Sequence, residues 1–326
     1  MKVLVLGGSG YIGARLCAKL ANSGWATPVS ASSRRLAPGV RSVRADTTDP
    51  ASVAQALQGM DAVVNCVAGS ARAIAEGAKV LAEASAKAHC MRIVHLSSMA
   101  VYGAREGPAG ERAPLDPSLG WYARAKCEAE RHIESFAEAG GTAVTLRPGC
   151  VWGPGSELWV GRIGRYLHAK RLGDLGVGGD GWSNLVHVDD VCAAVFAALR
   201  TPQAAGRVRI YNLAAPDSPR WNEYFVDLAL AIGATPVRRI PPMQLRMDAW
   251  LGGPALAMAR SALARAGRSP RTVPDPLPPG LLGLWYRHLH LQSEAAQRDL
   301  DIRWTPYREG LEQSAQWYLQ TGHHAH

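Results

Sequence analysis

Strand-like and helix-like segments take turns through the first half of this 326-residue chain, which predicts an α/β fold built on a doubly wound parallel sheet. Two further observations point the same way. The apolar run Lys2 to Leu6 enters a glycine turn, Gly7-Gly8-Ser9-Gly10-Tyr11-Ile12-Gly13, and a helical pattern follows at once. Later apolar segments, Ala143 to Leu146 and Leu185 to Val188, read as returns to the same sheet.

In order, the first half reads as strand Lys2 to Leu6, helix Ile12 to Asn22, strand Thr27 to Ser32, helix Ser52 to Leu57 and strand Ala62 to Val67. Helix Ile74 to Ala88, strand Arg92 to Leu96 and helix Tyr122 to Ala139 follow. After Ala143 to Leu146 and Arg147-Pro148-Gly149 come strand Leu185 to Val188 and helix Asp190 to Leu199. From Trp152 to Trp182, and again from Pro216 onward, Gly, Pro and Trp are frequent and the alternation is lost. That change predicts a smaller, mostly C-terminal lobe assembled from insertions and the last third. The expected division is a first domain over residues 1–150, with 185–215 returning to it, and a second lobe over 151–326. The proline-rich segment Arg271 to Gly280 reads as an extended connector, and the closing His323-His324-Ala325-His326 as a tail.

Composition narrows the classes. With 47% hydrophobic and 19% charged residues the chain is neither disordered nor collagen-like. Its longest apolar stretches, such as Val191 to Leu199, fall well short of the roughly 20 residues that cross a bilayer. No membrane span is expected, and the N-terminus lacks a cleavable-signal pattern, so the expectation is a cytoplasmic protein. The six cysteines, Cys17, Cys66, Cys90, Cys127, Cys150 and Cys192, form no metal-ligand spacing and read as reduced, packed thiols; no metal is expected. The formal charge of +9 comes from dispersed basic residues, which fits a solvated face better than nucleic-acid binding.

Glycines between a buried strand and a helix let backbone approach a pyrophosphate, while helix N–H groups face its charge. The expected contacts are Gly7, Ser9, Gly10, Tyr11, Ile12 and Gly13. No Asp or Glu stands between Gly13 and Asp46, the stretch where NAD binders place an acid for the ribose hydroxyls. Ser32, Ser33, Arg34 and Arg35 stand there instead. Two guanidiniums and two hydroxyls suit a 2′-phosphate, so NADP(H) is the expected cofactor. The bland alternative makes Arg34 and Arg35 a solvated loop pair.

Tyr122 and Lys126 lie four residues apart, on one helix face, where an ammonium stabilises a phenolate. Strand Arg92 to Leu96 ends in Ser97-Ser98-Met99-Ala100-Val101-Tyr102-Gly103. Together, Gly7-x-x-Gly10-x-x-Gly13, this Ser-Ser-x-x-Val-Tyr-Gly segment and Tyr122-x-x-x-Lys126 resemble the extended branch of the short-chain dehydrogenase/reductase superfamily, the NAD-dependent epimerase/dehydratase family. Leu146-Arg147-Pro148-Gly149, Asn184-Leu185-Val186-His187-Val188-Asp189-Asp190 and Tyr211-Asn212-Leu213 extend the resemblance to about residue 215. It implies a Rossmann-type sheet and a catalytic group of Ser98, Tyr122 and Lys126, with Ser97 a neighbour of the orienting hydroxyl. It also implies cofactor contacts from Asp46, Thr47, Cys66, Val67, Ala68, Lys126, Pro148 and Val151, with His187 and Asp190 structural. For Asp46 the alternative is a helix N-terminal acid.

Departures from the resemblance select among chemistries. Sugar-nucleotide 4,6-dehydratases carry an Asp-Glu pair where Met99 and Ala100 stand, so dehydration of that kind is not expected. Epimerases commonly carry Asn at the position of Cys150 and Arg at that of Ser183, and one relay Asn of the family is replaced by Ile74. The closing Trp304 to Leu311, with Trp317, resembles the 3β-hydroxysteroid dehydrogenase-like and ketoreductase branch. Met243 to Ala266 is apolar on a broad helical face and is either lobe core or a lid over a hydrophobic substrate. The expectation is an NADP(H)-dependent oxidoreductase that interconverts a ketone or aldehyde and an alcohol on a hydrophobic small molecule, in a protein that could form a homodimer. A nucleotide-sugar epimerase is the second reading, and a cofactor-sensing binding protein the third.

Overall fold

A computed structural model of the chain describes all residues except 34–36, 38, 203, 270, 271 and 323–326. In chain order its strands are β1 (Lys2–Leu6), β2 (Thr27–Ser32), β3 (Arg41–Arg44), β4 (Ala62–Asn65), β5 (Arg92–Leu96), β6 (Gly107–Ala109), β7 (Thr142–Pro148), β8 (Cys150–Trp152), β9 (Leu185–His187), β10 (Val208–Leu213) and β11 (Leu289–Leu291). Its helices are α1 (Tyr11–Ala21), α2 (Pro50–Leu57), α3 (Ala71–Lys87), α4 (Trp121–Glu138), α5 (Arg162–His168), α6 (Val188–Arg200), α7 (Trp221–Ala231), α8 (Pro242–Met247), α9 (Gly253–Arg265), α10 (Pro279–Tyr286), α11 (Glu294–Leu300) and α12 (Tyr307–Gln320).

Seven strands form one parallel sheet in the order β3-β2-β1-β4-β5-β7-β10. This is the expected Rossmann-type, doubly wound arrangement. From β1 the chain steps outward to β2 and β3, then returns to β4 and steps the other way. The crevice beyond the carboxyl ends of β1 and β4, where that direction switches, is where open α/β sheets bind ligands. Val3, Leu4, Val5 and Leu6 are buried, as β1 lies between two neighbours and under helices. Each such side chain stabilises the fold by roughly 1.5–3 kcal/mol. Ile74, Ala75 and Ala78 of α3 pack on Ala125 and Ala129 of α4, with Tyr122 against them. Small residues on both helices permit that close approach.

The chain divides into two compact units: Met1–Gly149, Val188–Ala214 and Leu291–Trp304 form the first, and Cys150–His187, Ala215–His290 and Thr305–His326 the second. The strand expected at Leu185 to Val188 does not join the main sheet. Leu185–His187 pairs in parallel with Cys150–Trp152 as a separate two-stranded sheet inside the second unit. The place beside β7 is held by β10, which makes six paired positions there. A three-residue buried run carries too little pattern to tell the two sheets apart.

The second unit is built on aromatic side chains. Trp152 stacks on Tyr307 with ring centroids 5.6 Å apart and meets Tyr224 edge-on at 5.7 Å. Gly310 belongs to this packing, since a Cβ there would stand 2.8 Å from the Trp152 ring. Met243 to Ala266 is not lobe core, because only Leu245, Ala249 and Gly253 are buried across it. Among the described residues no helix is long and apolar enough to cross a membrane, and no cluster of three potential metal ligands occurs.

Candidate active site

The glycine turn closes tightly. Gly7 has φ +75°, a conformation that favours glycine, and the N–H groups of Gly7 and Gly8 donate to Ala31 O at 2.9 and 3.2 Å, fastening the turn to β2. A Cβ on Gly13 would stand 2.3 Å from Gly7 O, so α1 can lie this close to the turn only with glycine there. No side chain caps α1, and its first turn has no acid. The helix therefore presents donors and the positive end of its dipole to an anion, and the turn fits a pyrophosphate.

At the end of β2, Ser32 Oγ and Ser9 Oγ hydrogen-bond at 2.8 Å, and Ser33, just beyond the strand, is exposed. Arg34 and Arg35 lie outside the described residues. Asp46 is exposed, and its Oδ1 accepts from Thr48 N and from Thr48 Oγ1, each at 2.9 Å. The backbone and hydroxyl donors of Thr48 hold the Asp46 carboxyl below its ordinary range. Helix α2 is capped by Asp49, not by Asp46. Thr47 packs over Gly77 of α3, where a Cβ would stand 3.1 Å from its hydroxyl. Cys66, Val67 and Ala68 follow β4, and Cys66 N donates to Leu6 O at 2.9 Å, which sets them beside the glycine turn.

Lys126 is buried, and its Nζ donates to Leu96 O at the end of β5 at 2.7 Å and to Val67 O beyond β4 at 3.5 Å. Nζ also lies 6.0 Å from the centroid of the Tyr122 ring. Burial pushes the ammonium down to about 8, opposed by the nearby Cys66 and Glu130, and burial pushes the Cys66 thiol well up. Of the two serines after β5, Ser97 is buried, whereas Ser98 is half-buried and begins the turn Met99–Tyr102. Ser98 Oγ accepts from Ala100 N at 3.2 Å. Met99 and Ala100 bring no acid to this turn. Pro148 ends β7 in the first unit and Val151 lies in β8 of the second.

Two supporting groups escaped the sequence reading. Asn65, buried at the end of β4, accepts from Val67 N at 3.1 Å through Oδ1, and its amide meets His95 Nδ1 at 3.1 Å. Burial and the Lys126 charge keep His95 well below its ordinary range, so the ring is neutral at pH 7. The signal was a polar residue inside the apolar run Ala62 to Val67. One turn past Lys126, Glu130 accepts from Arg147 Nη2 at 2.6 Å, and Arg147 Nη1 donates to Tyr102 Oη at 2.9 Å. Tyr102 in turn donates to Asn212 Oδ1 at 2.6 Å. These bonds tie α4 to β7, the Ser98 turn and β10. A cavity of about 640 Å³ lined by Arg112, Arg209, Tyr211 and Arg298 shares no residue with this site.

A Rossmann-type sheet with a glycine turn at its switch point, and a buried lysine four residues after a tyrosine on α4, defines a class as well as a place. Residues 3–214 match the NAD dependent epimerase/dehydratase family, and the chain belongs to it. Membership and the named relatives indicate an enzyme of oxidoreductase or dehydratase type. Among curated relatives, the 2-alkyl-3-oxoalkanoate reductase of Stenotrophomonas maltophilia is 32% identical over 268 residues, covering 72% of this chain and 76% of that protein. The ceramide reductase of Caulobacter vibrioides is 27% identical over 267 residues, covering 76% and 78%. Among solved structures, MoeE5 in complex with UDP-glucuronic acid and NAD superposes with a TM-score of 0.73 at 22% identity, covering 98% of this chain and 100% of that one. A UDP-glucose 4-epimerase from Thermotoga maritima gives 0.73 at 19% identity, covering 98% and 99%. At such identities these structures share the fold.

Proposed function

We propose that this protein is an NADP(H)-dependent reductase of a ketone or aldehyde carried on a hydrophobic small molecule. The first unit serves as cofactor domain and the second as substrate lobe. The observation that carries the reading is Lys126, an ammonium held by the backbone at the ends of two strands, on the helix that carries Tyr122 and beside a Ser98 turn without acids. The residues suited to hold the dinucleotide are the Gly7 to Gly13 turn, Ser32, Ser33, Arg34 and Arg35 for a 2′-phosphate, Asp46 and Thr47 for the adenine, Cys66 to Ala68, Lys126, Pro148 and Val151. When bound, a nicotinamide dinucleotide supplies the hydride.

Ser98 holds the carbonyl oxygen of the substrate by its hydroxyl. Tyr122 gives its proton to that oxygen as negative charge develops there, and the Lys126 ammonium stabilises the tyrosinate left behind. The same groups run backwards for alcohol oxidation. The names of two relatives, a 2-alkyl-3-oxoalkanoate reductase and a ceramide reductase, support a reductase with a lipid-like substrate. Ser183 supports the choice against a sugar nucleotide. It is buried, with its hydroxyl donating to Pro219 O at 2.5 Å, and offers no side chain for a diphosphate.

The test is cofactor consumption with a 2-alkyl-3-oxo acid series of increasing chain length. NADPH should be consumed one for one with alcohol formed, with kcat/KM rising severalfold per added methylene, since each buried CH₂ contributes roughly 0.8 kcal/mol. NADPH should be preferred over NADH by at least about tenfold, or 1.4 kcal/mol. No net NADPH consumption on any of the series, together with interconversion of UDP- or dTDP-sugars, would establish the epimerase instead.

A further inference from the structure

Helix α8, the π-helical turn Asp248–Gly252 and α9 follow one another without a break. Along them Met243, Met247, Trp250, Leu251 and Met258 are 55–72% exposed. Steps of four, three, one and seven residues set these side chains along one helical stripe. Leu245, Ala249 and Gly253 take the other side and are buried. A Cβ on Gly253 would stand 2.5 Å from Leu277 O, so backbone packs on backbone there.

Ion pairs pin the inner side as well. Asp248 accepts from Arg171 Nη2 at 2.7 Å and from its Nε at 2.9 Å, and Arg260 Nη1 lies 2.8 Å from Asp275 Oδ1. The segment is thus fastened along its inner side while its largest apolar side chains point away from the unit. The cations Arg246, Arg265 and Arg268 accompany the stripe, and all three are exposed. A contiguous exposed patch of this kind marks a surface that another phase or molecule covers.

We propose that this stripe docks the protein on an anionic lipid surface, with Met247, Trp250, Leu251 and Met258 in the boundary between headgroups and acyl chains and the three arginines on lipid phosphates. Charge decides the occupant. The one acid of the segment, Asp248, is paired with Arg171, so the outward face carries cations and no acid. That combination matches an anionic bilayer, where each nearby Lys or Arg adds attraction and an indole settles at the interface. A second copy of the chain would set one cationic face against another. The net charge of +9 favours approach to a negative surface.

The proposal stands apart from the reductase reading, because its test reads binding and not turnover. The full chain is sedimented with vesicles of phosphatidylcholine alone and of phosphatidylcholine with phosphatidylglycerol at roughly one part in three. Strong co-sedimentation is expected only with the mixed vesicles, weakening as salt is raised. A Met247→Gln/Trp250→Gln/Leu251→Gln variant should bind at least tenfold more weakly. An Arg265→Glu/Arg268→Glu variant should lose the preference for phosphatidylglycerol, and both should keep the wild-type unfolding temperature, since these side chains are exposed. Absence of wild-type binding to the mixed vesicles, or unchanged binding by the folded variants, overturns the proposal. A dimer in analytical ultracentrifugation that the triple variant dissolves, with no vesicle binding, would assign the stripe to a second copy.

Discussion

An ammonium taken out of water is costly, and the first unit accepts that cost at Lys126, where carbonyls at the ends of β5 and β4 replace part of its hydration. Burial lowers its folded-state value to about 8 from the ordinary 10.5. Between those two values the unfolded chain holds the proton and the folded chain has lost it, so this group adds stability as pH rises through that window. The destabilisation is fully present below pH 8. Unfolding by urea at pH 7 and at pH 10.5 should show it. Relative to wild type, a Lys126→Met variant should be favoured more at the lower pH by roughly 2–4 kcal/mol. A wild-type-to-variant difference that is the same at both pH values would mean that the lysine is not buried as an isolated cation.

At the scale of elements, the glycine turn gives an ordered prediction. A Cβ on Gly13 meets Gly7 O at 2.3 Å and Gly7 C at 2.9 Å, all backbone, while on Gly10 the nearest atom is Gly7 O at 3.2 Å. Alanine at position 13 gains about 1 kcal/mol of helix propensity but forces the turn and α1 apart, at a cost of about 1–3 kcal/mol. Thermal unfolding should therefore show Gly13→Ala lowering the transition further than Gly10→Ala; the reverse order would refute the close packing of α1 on the turn. Local patterns of this kind are what made the site legible. The glycine turn, the Ser98 turn and Tyr122 with Lys126 each lie within a few neighbouring residues, so periodicity and spacing expose them. The supporting pairs do not, since Asn65 meets His95 across 30 positions and Arg147 meets Glu130 across 17. Strand β3 was missed because its Arg-Ser-Val-Arg sequence, exposed or half-buried at the sheet edge, carries no apolar run. The exposure of Met243 to Ala266 was equally hidden, because an apolar stripe has the same spacing whether it faces a core or the outside.

For the molecule as a whole, the proposed reading divides the labour between the two units. The glycine turn, Ser98, Tyr122 and Lys126 all belong to the first, which is the doubly wound sheet read from the sequence. The second, with its aromatic interior and its apolar cationic stripe, is where a lipid-like substrate would be selected. The proposed chemistry rests on one proton, given by Tyr122. Steady-state kinetics of Tyr122→Phe on a 2-alkyl-3-oxo acid, combined with NADPH titration by fluorescence, isolates it. A positioned general acid is typically worth about 100-fold or more, so kcat should fall by at least that factor while NADPH affinity stays within about twofold of wild type. A variant that keeps more than about a tenth of the wild-type kcat would contradict the assignment of Tyr122 as the proton donor.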